Sequence, residues 1–192
     1  METNSQDKYR EGLKMQLMEA CARVTYTYTT HLKQVDRISK TNRTMKYIQI
    51  ALSAMTTGGF ISSIIINETA LTYVSAVLSA ILLGITLYYK DFDLNLEITK
   101  HTSCANALWI IREEYTSLLT DFCIKSDDEI CKKRDDLLNR TAEIYATAPK
   151  TSPKSYRNAQ KALKCEEEQF FTIEELYQLM PQHIRDSLNI KR

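Results

Sequence analysis

Two stretches of this chain carry no charged residue, and they lie back to back: residues 47–67 and 69–89, bounded by Lys46 and Lys90 and divided only by Glu68. A helix rising about 1.5 Å per residue needs about 20 apolar residues to cross a bilayer, and each stretch is long enough. Whole-chain averages hide this, since 26% of the 192 residues are charged and the net charge is only +1. Packing both stretches inside a water-soluble globule would demand a core larger than the remaining polar chain could cover. The fold class that follows is an all-α membrane protein: a two-span transmembrane helical hairpin continued by long cytosolic helices and a small C-terminal helical bundle. Its regions are a cytosolic amphipathic helix over 1–46, a hairpin over 47–89 with spans 47–66 and 70–89, and a cytosolic helical region over 90–192. The first span follows a long charged segment and is followed at once by the second, so it reads as a permanent anchor and not a cleavable signal.

The connection Asn67-Glu68-Thr69 is too short for anything but an antiparallel turn, with Asn67 placed to stop the first helix and Thr69 to cap the second. Lys33, Arg37, Lys40, Arg43 and Lys46 precede the first span against Asp36 alone, Lys90 follows the second, and the turn has no basic residue. Both termini are therefore expected in the cytosol, on a multi-pass membrane protein. Tyr47, Tyr88, Tyr89 and Phe92 then fall at the same interface. Sequon matches at Asn42, Asn67 and Asn139 read as chance.

Leu13, Leu17, Ala20, Val24, Tyr28, His31, Val35 and Ile38 recur at steps of three and four, the spacing of one long helix. Val24–Thr30 also alternates as a strand would, which is the competing reading. The same spacing returns at Leu94, Ile98, His101, Ala105, Leu108, Arg112, Tyr115, Leu119 and Phe122, with no Gly or Pro from Lys90 to Phe122, so the second span is expected to run unbroken into the cytosol. The two extensions emerge side by side and pack on each other; His31, His101 and Trp109 read as core. Arg112 interrupts its stripe, and either finds a carboxylate (Glu113, Asp121 or Glu19) or reaches its head to water.

Shorter helices follow. Ser126 with Glu129 and Thr172 with Glu175 are capping boxes, and Ser152-Pro153 opens a helix between them. Five cysteines without a C-x-x-C pair and three scattered histidines point to free thiols and no metal site. Neither a nucleophile–base constellation nor a Gly-rich phosphate loop is present, so no enzyme and no cofactor is expected, and the balanced charge argues against nucleic acid.

Within the first span, Gln49, Ser53, Thr56, Ser63 and Asn67 fall within an arc of about 80°, with Phe60 in its middle. Ser75 and Ser79 belong to a less regular polar stripe on the second. These are the pore-lining candidates, and Phe60 the candidate gate; the competing readings are hydroxyls bonded back to their own helix and a lipid-facing Phe60. Ala54, Gly58 and Ser62, with Ala76, Ala80 and Gly84, form small-residue ridges suited to close helix packing. A hairpin cannot enclose a channel alone, so a homo-oligomer in the lipid bilayer is expected. No ionisable residue lies inside either span, which argues against an ion-coupled transporter.

The stretch ANALWIIREEYTSLLTD from Ala105 to Asp121, RDDL at Arg134–Leu137 and IYATAPKT at Ile144–Thr151 resemble the bacterial SLATT family, two-transmembrane effector domains associated with SMODS nucleotide-synthesising enzymes and SLOG sensors, in its family-5 branch. The resemblance extends from about Arg37 to Arg185. It implies an effector of anti-phage defence that forms a pore or perturbs the membrane, causing death or dormancy of the infected cell. This chain shows no nucleotide-sensing motif, so the trigger is expected to come either from a separately encoded sensor or nucleotide-synthesising partner or from the physical state of the cell. The alternative is a non-conducting membrane scaffold that recruits a cytosolic partner.

Overall fold

A computed structural model describes residues 2–66 and 68–187. Helix α1, Glu2–Ile66, runs through the N-terminal region and the first span without interruption. Over its 65 residues it extends about 100 Å. The segment Val24–Thr30 is helical, and its threonines explain how a β-branched run stays so. The hydroxyls of Thr25, Thr27, Thr29 and Thr30 donate to the carbonyls of Cys21, Arg23, Thr25 and Tyr26 at 2.8–2.9 Å, each one turn back, so none competes for a non-helical partner.

Helix α2, Thr69–Asp91, returns antiparallel to the end of α1. Thr69 was the expected cap, but Glu68 takes the N-cap position, without a side-chain hydrogen bond. The chain turns through a backbone bond from Glu68 N–H to the Ser63 carbonyl at 3.2 Å. Asn67, expected to end α1 and to line a pore, lies outside the described residues.

Nor does the second span run unbroken into the cytosol. Helix α2 stops at Asp91 and α3 spans Leu94–Thr120. Asp93 caps α3, its carboxylate accepting from the backbone N–H groups of Asn95 and Leu96, both at 3.0 Å. A helix can restart at an Asp without Gly or Pro, because the side chain replaces the intrahelical partners that the first turn lacks. Asp93→Ala is expected to cost about 1 kcal/mol and to let the two helices fuse, read as slower amide exchange at Phe92–Leu96.

After a 3-10 turn at Asp121–Cys123, α4 covers Asp127–Thr147 and opens with the Ser126–Glu129 capping box. Helix α5 is Pro153–Lys164, capped by Ser152. Two short helices close the chain: α6, Ile173–Leu179, behind the Thr172–Glu175 box, and α7, Gln182–Ser187. The described residues are therefore helices and their connections.

The core lies outside the two apolar segments 47–66 and 70–89. Leu13, Leu17 and Val24 of α1 interlock with Leu108, Ile111, Tyr115 and Leu118 of α3 and with Ile130 and Leu137 of α4. Helix α5 seals the side of α1 through Ala159, Ala162 and Ser155, all fully buried. There the amide oxygen of buried Gln34 accepts from the hydroxyls of Ser155 at 2.6 Å and Ser152 at 2.9 Å.

Glu114 clasps α3 to α4. Its carboxylate accepts from Arg140 Nη1 and Nη2 at 2.8 and 2.6 Å and from Lys133 Nζ at 2.7 Å. Hydrogen bonds from Arg140, then Lys133, hold its pKa down at about 2 against 4.5. The contribution is present above pH 4.5 and is lost as pH falls toward 2. Because both cations are partly exposed, solvent screens the clasp, and Glu114→Gln is expected to cost about 1 kcal/mol in detergent melts at pH 7.

Candidate membrane and assembly surfaces

The seam between the two spans has a regular spacing. Gln49, Leu52, Thr56, Gly59 and Ser63 of α1 are buried or half-buried, as are Leu71, Ser75, Leu78, Leu82, Ile85 and Tyr89 of α2. Steps of three and four on both helices are those of left-handed antiparallel packing. Gly59 permits the closest approach, since a Cβ there would lie 2.7 Å from Ser75 Oγ.

Several expected pore residues thus belong to the seam. Ser63 and Ser75 are 6% and 4% exposed, shut between the helices and not on an outer face. Thr56 and Ser63 donate back to the carbonyls of Leu52 at 2.7 Å and Phe60 at 2.8 Å, so these hydroxyls are satisfied without water. Gln49 is half-buried at the seam's edge.

The outer faces carry the remaining candidates. Ser53, Ala54, Gly58, Ala76, Ser79, Ala80 and Gly84 are exposed, and Ser62 is half-buried. A Cβ added at Gly58 or Gly84 meets nothing within 4 Å, so neither ridge serves the hairpin's own packing. Turning from the seam at about 100° per residue, Ser53, Thr57 and Phe60 of α1 come to one flank. Thr72, Ser79 and Thr86 of α2 come to the same flank, since antiparallel neighbours present the same sense of rotation to one side. A groove of about 660 Å³ joins the two flanks, lined by Gln49, Ser53, Thr57 and Thr86 together with apolar Ile50, Ala54 and Leu82, with Lys46 at one end. Phe60 is 51% exposed. Thr57 was missing from the polar arc of the first span, because that arc was centred on the residues that fill the seam, whereas Thr72 and Thr86 belong to the polar stripe that the sequence shows on the second.

Charge and aromatic rings mark one end of the hairpin. Lys46, Tyr47 and Lys90 are exposed there, and Tyr88 stacks on Phe92 with ring centroids 4.8 Å apart. Asn42 donates to Asn95 Oδ1 at 2.9 Å, tying α1 to α3 just beyond the span.

Further out, His31 and His101 meet inside the bundle, 2% and 1% exposed, with their Nδ1 atoms 2.8 Å apart. Cys104 Sγ lies 3.5 Å from the other nitrogen of His31. The contacts therefore run in a chain and do not converge on a point where a metal ion would sit. Burial first, and His101 second, lower the pKa of His31 from 6.5 to about 4; burial likewise lowers that of His101. Trp109 was expected with them in the core but is 47% exposed, because it lies one position past buried Leu108 on α3. Arg112 is half-buried and pairs with its neighbour Glu113 at 2.9 Å, while Glu19 lies by Arg23 at 3.8 Å.

A family model, the SMODS and SLOG-associating 2TM effector domain family 4, matches residues 13–175. The chain belongs to this family. Its two transmembrane helices correspond to the two segments of α1 and α2 that are long and apolar enough to cross a membrane. The matched SLATT region starts at core residue Leu13 and ends in α6, so the bundle is as much part of the domain as the hairpin. The match is to family 4, whereas the resemblance read from the sequence points to the family-5 branch. No curated protein and no solved structure matches the chain. The SLATT name describes an effector domain associated with SMODS and SLOG systems, consistent with a separately encoded partner, and indicates no catalytic family.

Proposed function

We propose that this SLATT protein is a pore-forming effector of the bacterial inner membrane. Copies assemble side by side in the bilayer through the outer ridges, with both termini in the cytosol. The polar flank of each hairpin turns toward a shared axis, so Ser53, Thr57, Ser79 and Thr86 line a path and Phe60 narrows it. Opening dissipates ion gradients and arrests or kills the infected cell, and a separately encoded protein supplies the trigger. The observation that carries this reading is that the hairpin satisfies its own packing at the seam and still presents hydroxyls and ridge glycines outward. Thr86 donates back to the Leu82 carbonyl at 2.8 Å, but in a lone hairpin the hydroxyls of Ser53, Thr57 and Ser79 would face lipid, which offers them nothing to bond.

Gly58→Leu separates assembly from folding, since the new side chain meets open space within its own chain but would fill the ridge between copies. Cross-linking in detergent is expected to fall by about tenfold for this variant, a loss of about 1.4 kcal/mol, with the helical content unchanged. Cells expressing the parent are expected to depolarise and those expressing Gly58→Leu to hold their potential. A parent that forms oligomers and never depolarises cells would instead favour the scaffold, a reading that exposed Trp109 and Ile110 on α3 also suit.

A further inference from the structure

The bundle leaves one apolar groove open and one apolar helix bare. The groove, about 450 Å³, lies between α1 and α3 and reaches Leu163 and Lys164 at the end of α5. Cys21, Ala22 and Leu119 contribute to its apolar wall, Arg112 and Lys164 are its charged residues, and no carboxylate lines it. The bare helix is α6, which has no buried residue. Ile173, Leu176 and Tyr177 fall on one side of it at helical spacing, with Glu174, Glu175 and Gln178 toward the other, where Leu179 also lies exposed. Ile173 and Leu176 are 63% and 41% exposed, and Phe170 and Phe171 just before them 58% and 60%. An apolar surface of this extent beside acidic groups is the composition of a docking helix.

We propose that α6 of one copy docks in the groove of a second copy, reciprocally, so that the cytosolic bundles of a SLATT assembly are exchanged pairwise. Three observations select the second copy as the occupant. Charge at the edge is complementary, since Lys164 borders a groove that no carboxylate lines and Glu174 flanks the apolar side of α6. Level is matched: Phe170 itself lines the groove, so α6 departs from the groove's own rim, and copies held upright in one bilayer bring rim and groove to the same depth. The connection is held in place as well, because Glu168 binds Lys33 at 2.7 Å and the Gln169 amide donates to Thr29 Oγ1 at 3.1 Å. The start of the segment is thereby fixed on α1 while the helix beyond it projects outward. The exchange rests on the oligomer proposed above and adds a contact in the bundle that is independent of the span ridges. A C2 pair of this kind uses the same groove and helix twice.

The cysteines allow a direct test in the full-length protein. All five thiols are free, and Cys21 lies in the groove. Replacing Cys104, Cys123, Cys131 and Cys165 by Ser and introducing Leu176→Cys leaves one thiol in the groove and one on the apolar face of α6. Mild oxidation in native membranes is expected to give a disulfide-linked dimer that disappears on Cys21→Ser. Adding Glu174→Lys, which leaves the Thr172–Glu175 cap intact, is expected to slow its formation by about threefold. A disulfide formed within a single chain would overturn the exchange in favour of self-docking. Absence of any Cys21-dependent disulfide would overturn docking altogether. If amine cross-linking at the same time still detects oligomers sensitive to Gly58→Leu, the α6 proposal alone has failed and the membrane assembly stands.

Discussion

Phe60→Ser protein is expected to release a small dye from liposomes without any trigger, at a rate at least tenfold above the parent, and to be toxic on expression. Phe60→Leu is expected to stay closed. The reasoning is geometric. Phe60 is a large apolar side chain on the flank that carries Ser53, Thr57, Thr72, Ser79 and Thr86, and it stands half exposed near the middle of the span. Copies arranged with this flank inward bring one ring each to a common level, and a hydrophobic girdle stops ions by excluding water without filling the path. Serine removes the girdle and leucine keeps it. Gly58 and Gly59 immediately before Phe60 each weaken the helix by about 1 kcal/mol relative to alanine, which gives the girdle a place to dilate. A Phe60→Ser protein that inserts, oligomerises and leaks no more than the parent would rule the gate out.

Acid is expected to loosen the bundle by about 3 kcal/mol between pH 6.5 and 4. His31 sits neutral in the folded protein with a pKa of about 4 against 6.5, a difference of about 2.5 units at about 1.4 kcal/mol each. Its contribution is complete above pH 6.5, where both folded and unfolded chains hold it neutral. Below that the unfolded chain binds the proton first, so stability declines as pH falls through the window and levels off near 4. Two neighbours oppose each other at His101, Glu97 favouring the imidazolium and Lys100 disfavouring it, beneath the larger effect of burial. Because α1 and α3 meet at this pair, the loss falls on the contact between α1 and α3 in the bundle. Thermal melts in detergent from pH 7.5 to 4.5 read it directly. The paired change His31→Leu and His101→Leu is expected to flatten most of that slope, and a slope unchanged in the double variant would assign the acid response elsewhere.

The architecture is legible in the sequence wherever one residue decides the outcome locally. Ser126 with Glu129 and Thr172 with Glu175 form the expected capping boxes, Pro153 starts α5, and the stripes from Leu13 and Leu94 are the faces on which α1 and α3 meet. Three features are not legible, for different physical reasons. The break before Leu94 depends on Asp93 accepting two backbone N–H groups, a cap that a search for Gly and Pro overlooks. Trp109 differs from Leu108 by a rotation of about 100°, enough to move it out of the core. The polar arc of the first span is the most instructive case. Periodicity locates Gln49, Thr56 and Ser63 on one side of a helix but cannot say what lies opposite them. Ser75 and the lack of a side chain at Gly59 turn that side into the seam, which rotates Ser53 and Phe60 to the flank and leaves Gly58 outside.

Water at that flank is the claim on which the pore rests. In full-length protein with the five native cysteines replaced by Ser, single cysteines at Ser53, Thr57 and Thr86 are expected to react with a membrane-impermeant thiol reagent in proteoliposomes. Cysteines at Ser63, in the seam, and at Met55, exposed on α1 away from the polar flank, are expected to stay unmodified. If the flank positions react no faster than Met55→Cys in an assembled protein, the polar flank faces lipid or protein, and the account of this molecule as a pore is wrong.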